Sequence, residues 1–255
     1  MKPNDRRGYV HESDTKRAQE HSSSCNQVEK SSLPAAVDFL FRSTEAVRES
    51  RRTRRDIFNI EVSALREWGQ ASGLILAALE LNQFTPVSSG AEHEVMFDPE
   101  GQRAIKITRA GAFGHSVVGP GLSATPREYL LRWNFHNLLF GDNAGIFGLL
   151  CSEASVQCVV SQKWVTAHAQ TPTPTDAEID SFFRDLNFEK ISTVEVPAFY
   201  SGALDLVILD AHPHNILRDE AENLVPIDLV VGTPAPWTRE WLGLDETSAR
   251  SSITP

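Results

Sequence analysis

Cysteine, methionine and tyrosine are scarce in this chain, at 3, 2 and 3 residues of 255. Cys25, Cys151 and Cys158 cannot all pair with one another and form no C-x-x-C, so neither a disulfide framework nor a zinc ribbon is expected. No apolar run approaches the roughly 20 residues of a membrane-crossing helix, and the opening MKPNDRRGYVHESD lacks the apolar stretch of a secretory signal. The expectation is a cytoplasmic protein with no membrane partner. No internal repeat is visible.

Basic charge is also in deficit, with 24 Lys and Arg against 34 Asp and Glu and a formal net charge of -10. The imbalance is uneven: residues 1–60 hold 12 basic and 9 acidic side chains, so the remainder carries -13. The basic excess lies in RESRRTRRD, Arg48 to Asp56, which reads as a solvated helix face or a phosphate-contacting patch. A body this acidic repels nucleic acid, which is not expected as a partner, and an anionic ligand would need a local cation or a metal ion to hold it.

What is present is an ordinary apolar fraction, 41%, enough for a folded core. Residues 1–33 are polar and charged and are expected to be disordered. From Pro34 to about Leu81, apolar residues recur at three- and four-residue steps (Val37, Leu40, Phe41; Ile57, Ile60, Ala64, Leu65, Trp68), predicting two or three helices. Val95 and Phe97, a turn at Asp98–Gly101, then Ile105 and Ile107 predict a hairpin with Lys106 on the face opposite the isoleucines. After a Gly-rich loop from Gly111 to Gly121, TPRE places Thr125 as N-cap, Pro126 at the first helical position and Glu128 three after the cap; Gly141 ends that helix. Two strands with a turn near Ser152–Ser155 follow, then a second capping box at Thr175 and Glu178, a strand or hairpin around Gly202, and a final hairpin in NILRDEAENLVPIDLVV. The tail supports one short helix near Thr238–Leu244.

The chemistry concentrates in VILDAHPHNILRD, Val207 to Asp219. Phosphoryl transfer from a nucleotide needs oxygen ligands for Mg²⁺, a cation for the phosphate oxygens and a carboxylate beside the attacking hydroxyl. Lys106, Glu128, Asp210, Asn215 and Asp228 offer those groups in one order along the chain. The spacing Asp210-x-x-x-x-Asn215 resembles the protein-kinase catalytic loop. DAHPHN is closer to the D-x-H-P-x-N loop of aminoglycoside and choline phosphotransferases. IDLV, with Asp228 13 residues after Asn215, stands where kinases carry D-F-G. From about Trp68 to Gly232 the chain is similar to the kinase-like domain of bacterial polyvalent proteins of phages and mobile elements, through GAEHEVMFD, IKIT, ATPREYLLRW, HNLLFGD, DAHPHNIL and LVPIDLVVG.

That resemblance implies an α+β, two-lobed protein-kinase-like fold. Residues 34–85 would be a helical extension, 86–163 the N-lobe and 164–255 a reduced C-lobe, since only 27 residues follow Asp228. It implies an ATP- and Mg²⁺-dependent phosphotransferase whose partners are a nucleotide and an unidentified hydroxyl acceptor on a protein or small molecule. Asp210 would be the catalytic base or orient the acceptor. Asn215 and Asp228 would hold the metal. Lys106 would bind the phosphates, steadied by Glu128, and His212 would shape the loop or face the phosphates. Gly90 would cover the phosphates, while Ser161, Gln162 and Lys163, in the linker Val159–Val165, would meet the adenine.

The chain departs from these patterns in places. Only Gly90 stands where a G-x-G-x-x-G loop would lie, Leu229 and Val230 replace the Phe-Gly of D-F-G, and Ile208 takes the place of the catalytic-loop His. Glu128 is equally explained by its capping box. Two alternatives stay open: a nucleotide-binding or interaction module without turnover, and a metal-dependent hydrolase built on Asp210-x-His212-x-His214, whose three side chains would share one side of an extended chain. His93 reads as a structural hydrogen-bonding residue.

Overall fold

A computed structural model describes residues 32–48, 53–119 and 121–244. The stretch expected to be disordered, up to residue 31, lies outside the described residues, as do 49–52 of the basic segment. The chain is α+β with antiparallel sheets. No helix among the described residues is long and apolar enough to cross a membrane.

Helix α1, Leu33–Arg48, and helix α2, Arg54–Ala71, come first. The second starts at a capping box in which Thr53 accepts the Asp56 amide and the Asp56 carboxylate accepts the Thr53 amide. Strands β1 (Thr85–Ser89), β2 (His93–Asp98) and β3 (Arg103–Thr108) follow, then α3 (Pro126–Phe140), β4 (Gly145–Cys151) and β5 (Val156–Lys163). These five strands form one sheet in the order β1-β2-β3-β5-β4. Leu33, Leu40, Leu65 and Trp68 of the first two helices share a core with Tyr129, Leu130 and Trp133 of α3 and with Leu149, Cys158 and Val160 of the sheet. The leading helices are thus part of this body's core rather than an appendage. Strand β4 bulges at Ile146–Gly148, where a Cβ on Gly148 would lie 2.4 Å from the Leu76 side chain, so glycine allows the chain after α2 to cross the sheet edge.

Helix α4, Asp176–Asp185, begins at the expected Thr175–Glu178 box. Strands β6 (Glu189–Ile191), β7 (Ala198–Ser201), β8 (Leu206–Leu209) and β11 (Val230–Gly232) make a four-stranded sheet in the order β11-β8-β7-β6, and β9 (Ile216–Arg218) pairs with β10 (Leu224–Pro226). Phe183, Phe199, Ile208, Ile216 and Leu229 fill the core beneath. Helix α5, Pro236–Leu242, closes the described chain two residues ahead of the expected Thr238–Leu244. Strands β1, β6 and β11 are too short or too exposed to leave an alternating pattern in the sequence.

Candidate functional site

Strand β3 is flanked by β2 and β5, so Lys106, opposite Val95 and Val160, lies in the middle of the sheet. Period-2 geometry sends Ile105 and Ile107 to one face, against Leu81, Phe84 and Val159, and Lys106 to the other, toward α3. There its ammonium sits 4.8 Å from the Trp133 ring centroid, donates to the Ile227 carbonyl and lies 3.4 Å from Asp228 Oδ1, with only 4% of the residue exposed. Burial pushes the Lys106 ammonium below its ordinary value, and Asp228 opposes that shift. Burial alone would push the Asp228 carboxyl up; Lys106 and Arg132 outweigh it and hold the group well below the usual carboxylate range.

Arg132 joins this cluster without a motif in the sequence to announce it. It follows Glu128 by one helical turn, on the face that carries Tyr129, Trp133 and His136 inward, and it is 2% exposed. Its Nη2 donates to Asp228 Oδ1 at 2.8 Å, its Nη1 to Glu92 Oε2 at 2.7 Å and its Nε to the Leu229 carbonyl at 2.6 Å. The signal available in the sequence was an arginine at a core-facing position of YLLRW, which demands a buried anionic partner. Glu92, from the β1–β2 turn, is that partner. His93 is buried and bonded through Nε2 to the Tyr129 hydroxyl at 3.1 Å, as a structural residue would be, while its Nδ1 lies 3.7 Å from Asp228 Oδ2 and 3.8 Å from Glu92 Oε2.

Strand β8 delivers Asp210. Leu209 pairs with Val230 across β8–β11, and the Ile227 amide donates to the Asn215 carbonyl at 2.8 Å, so the Asp210–Asn215 loop and the Asp228 segment run side by side. Asp210 takes φ +62°, a left-handed turn that Asp and Asn tolerate better than most residues. Asn215 Nδ2 donates to the Asp210 carboxylate at 2.8 Å and to its carbonyl at 2.9 Å, and His212 Nε2 lies 3.0 Å from Asp210 Oδ1. The amide nitrogen of Asn215 is used by these bonds, which leaves its oxygen as the atom that can meet a cation.

Several expectations are corrected. Glu128 does not reach Lys106: Arg54 takes both its oxygens at 3.0 and 2.6 Å, and the Ser116 hydroxyl and Thr125 amide share Oε2. It sits in the first turn of α3, where capping fixes its direction. Ser161 and Gln162 lie within β5, paired with Ile105 and Ala104, and Lys163 pairs with Arg103. Gln162 Nε2 donates to Asp142. Even the Trp164 amide is bonded, to the Gln102 carbonyl at 3.0 Å. Gly90 is exposed in the β1–β2 turn, and its amide donates to the His93 carbonyl at 2.8 Å. The Asp210-His212-His214 set is not a grouping with metal-ligand spacing among the described residues: the φ of Asp210 and the 3₁₀ turn at Pro213–Asn215 break the extended chain, and His214 is exposed, its ring edge-on to His212.

Among the described residues, the grouping of His, Cys, Asp and Glu with metal-ligand spacing is Glu92, His93 and Asp228, whose ligand atoms lie within 4.8 Å of one another. Lys106 and Arg132 already neutralise its two carboxylates. The family whose model matches the chain, over residues 59–234, is described as a serine/threonine/tyrosine kinase found in polyvalent proteins. Comparison with curated proteins and with solved structures gave no match. The match begins inside α2, covers all three sheets and contains Lys106, Asp210, Asn215 and Asp228, and on that extent the chain belongs to the family of kinase domains found in polyvalent proteins.

Proposed function

We propose that the chain is an ATP- and Mg²⁺-dependent phosphotransferase acting on a hydroxyl of a protein or small molecule. In this reading the five-stranded sheet with α3 belongs to the N-lobe and the region from α4 onward to the C-lobe. The observation that carries the proposal is the convergence of Lys106 on Asp228, 3.4 Å apart across 122 residues of chain, beside the loop that holds Asp210 and Asn215. A buried lysine aimed at a carboxylate of depressed pKa costs desolvation energy, an arrangement that fits a site for a charged ligand better than a structural contact.

Asp228 and the Asn215 oxygen would hold the metal, an all-oxygen pair that suits Mg²⁺. Held there with the nucleotide, Mg²⁺ would supply charge neutralisation for the phosphate oxygens. Lys106 adds a fixed positive charge for the same oxygens and, being buried, needs no reorganisation to do so. Asp210 accepts or orients the proton of the incoming hydroxyl. Asn215 and His212 hold its carboxylate in one direction, so its aim is set before the acceptor arrives. The ladder-free backbone that could meet a nucleobase follows Trp164.

The test is incubation of the full chain with γ-labelled ATP and Mg²⁺, followed by mass spectrometry of the protein and of a cell extract, with Asp210→Asn in parallel. Label transfer lost in the variant is the expected result. Absence of both transfer and nucleotide-induced stabilisation would sink the proposal. The second reading, a nucleotide-binding module without turnover, draws on Glu128 being held by Arg54 rather than by Lys106, and would show stabilisation by ATP with no transfer.

A further inference from the structure

The turn between β1 and β2 has one glycine, Gly90, yet it is tied down. Most of Ser88–Ala91 is exposed, but the next side chain, Glu92, is only 11% exposed. Its carboxylate accepts from Arg132 Nη1 at 2.7 Å and from the His115 amide at 2.5 Å. Gly114 makes room for it: a Cβ there would lie 2.8 Å from the Glu92 carboxylate, and the φ of +75° disfavours any other residue. Beyond Glu92, the guanidinium of Arg132 reaches Asp228 and the Leu229 carbonyl. One buried side chain therefore joins the β1–β2 turn, helix α3 and the segment after β10.

We propose that Glu92 and Arg132 form a latch that fixes the β1–β2 turn over the site, and that Arg132 is a positioning residue for Asp228. The charge balance explains why both acids are needed. Lys106 and Arg132 face Glu92 and Asp228, two cations and two anions. If Asp228 turns toward a bound cation, Glu92 and the Leu229 carbonyl still satisfy Arg132, and no guanidinium is stranded in the interior. Without Glu92, Asp228 would be the sole carboxylate on Arg132 and would be held back from any cation. The part of this that concerns a bound cation and nucleotide rests on the phosphotransferase reading; the latch itself does not.

The test uses the full chain without nucleotide and hydrogen exchange of the β1–β2 amides. Glu92→Gln keeps size and shape and removes the charge; Gly114→Ala intrudes on the carboxylate from the other side. Each is expected to speed exchange at residues 90–95 by about tenfold, the equilibrium factor for losing one charged hydrogen bond, with β4 and β5 unchanged. Unchanged protection of the turn in Glu92→Gln would overturn the latch. In nucleotide kinetics the same variant is expected to raise the KM for ATP more than it lowers kcat, and the reverse split would remove the positioning role. A wild-type chain that binds no nucleotide would reject the phosphotransferase reading, while the exchange result would still decide the latch.

Discussion

Arg132 Nη2 donates to Asp228 Oδ1 at 2.8 Å, joining the middle of α3 to the segment between β10 and β11. The residue one turn earlier, Glu128, faces away toward Arg54. Helix α3 therefore presents a cation, not an anion, to the lysine-bearing face of the sheet. Glu92, entering from the β1–β2 turn, gives Arg132 its second carboxylate.

Asp210→Asn is expected to lower phosphoryl transfer by about a thousandfold, within the range for losing a general base, while nucleotide affinity stays within about threefold. The variant should fold, since asparagine tolerates the φ of +62° that Asp210 adopts. Transfer rates with labelled ATP, next to a binding titration, check it; undiminished turnover removes Asp210 from the role.

ATP with Mg²⁺ is expected to stabilise the wild type by about 2.7 kcal/mol at a hundredfold excess over the dissociation constant. Asp228→Asn should lose most of the Mg²⁺-dependent part and keep whatever the nucleotide contributes alone. Thermal shifts with and without Mg²⁺ separate the two.

Arg54 and Glu128 are expected to couple. In a double-mutant cycle of Arg54→Ala and Glu128→Gln, the two losses should fall short of additivity by about 0.5 to 1 kcal/mol, modest because Arg54 is partly exposed. Denaturant titrations measure it, and a coupling of zero would mean that the pair does not form in solution.

Leu65→Ala, at a fully buried position shared by α2 and α3, should cost about 2 to 5 kcal/mol. Because the leading helices share their core with the sheet, they should unfold with it in one transition. A separate early transition in urea would show that α1 and α2 fold on their own.

Glu178 caps α4 and pairs with Arg218, and the Thr175 amide and that guanidinium hold its carboxyl down at about 2. A depressed carboxyl stabilises the fold above its ordinary value near 4.5 and loses that contribution as pH falls toward 2. Wild type should therefore exceed Glu178→Gln in stability at neutral pH, and the gap should close between those two values. Acid titration of the two proteins by circular dichroism reads it.

Much was decided by chemistry local in the chain. The capping boxes at Thr125–Glu128 and Thr175–Glu178 start helices because each hydroxyl and carboxylate meets amides only three residues away. Alternation around Lys106 sets its face, since a strand has a period of two. The loop of Asp210 and Asn215 is legible for the same reason: the amide that holds the carboxylate is five residues along.

The charged partners were not legible, because they are distant in sequence. The sequence leaves Glu128 between a pair with Lys106 and its capping box; the fold keeps it at the cap and brings it Arg54, 74 residues away, since a first-turn side chain points back toward the helix start. Arg132 and Glu92 are 40 residues apart, and Arg132 and Asp228 are 96 apart. Ser161 and Gln162 have no local mark that sets them apart from a linker, and strand β3, which pairs with them, lies far back in the chain. An ion pair in the interior forms with whichever opposite charge the packing brings within reach, and spacing along the chain carries no record of that choice.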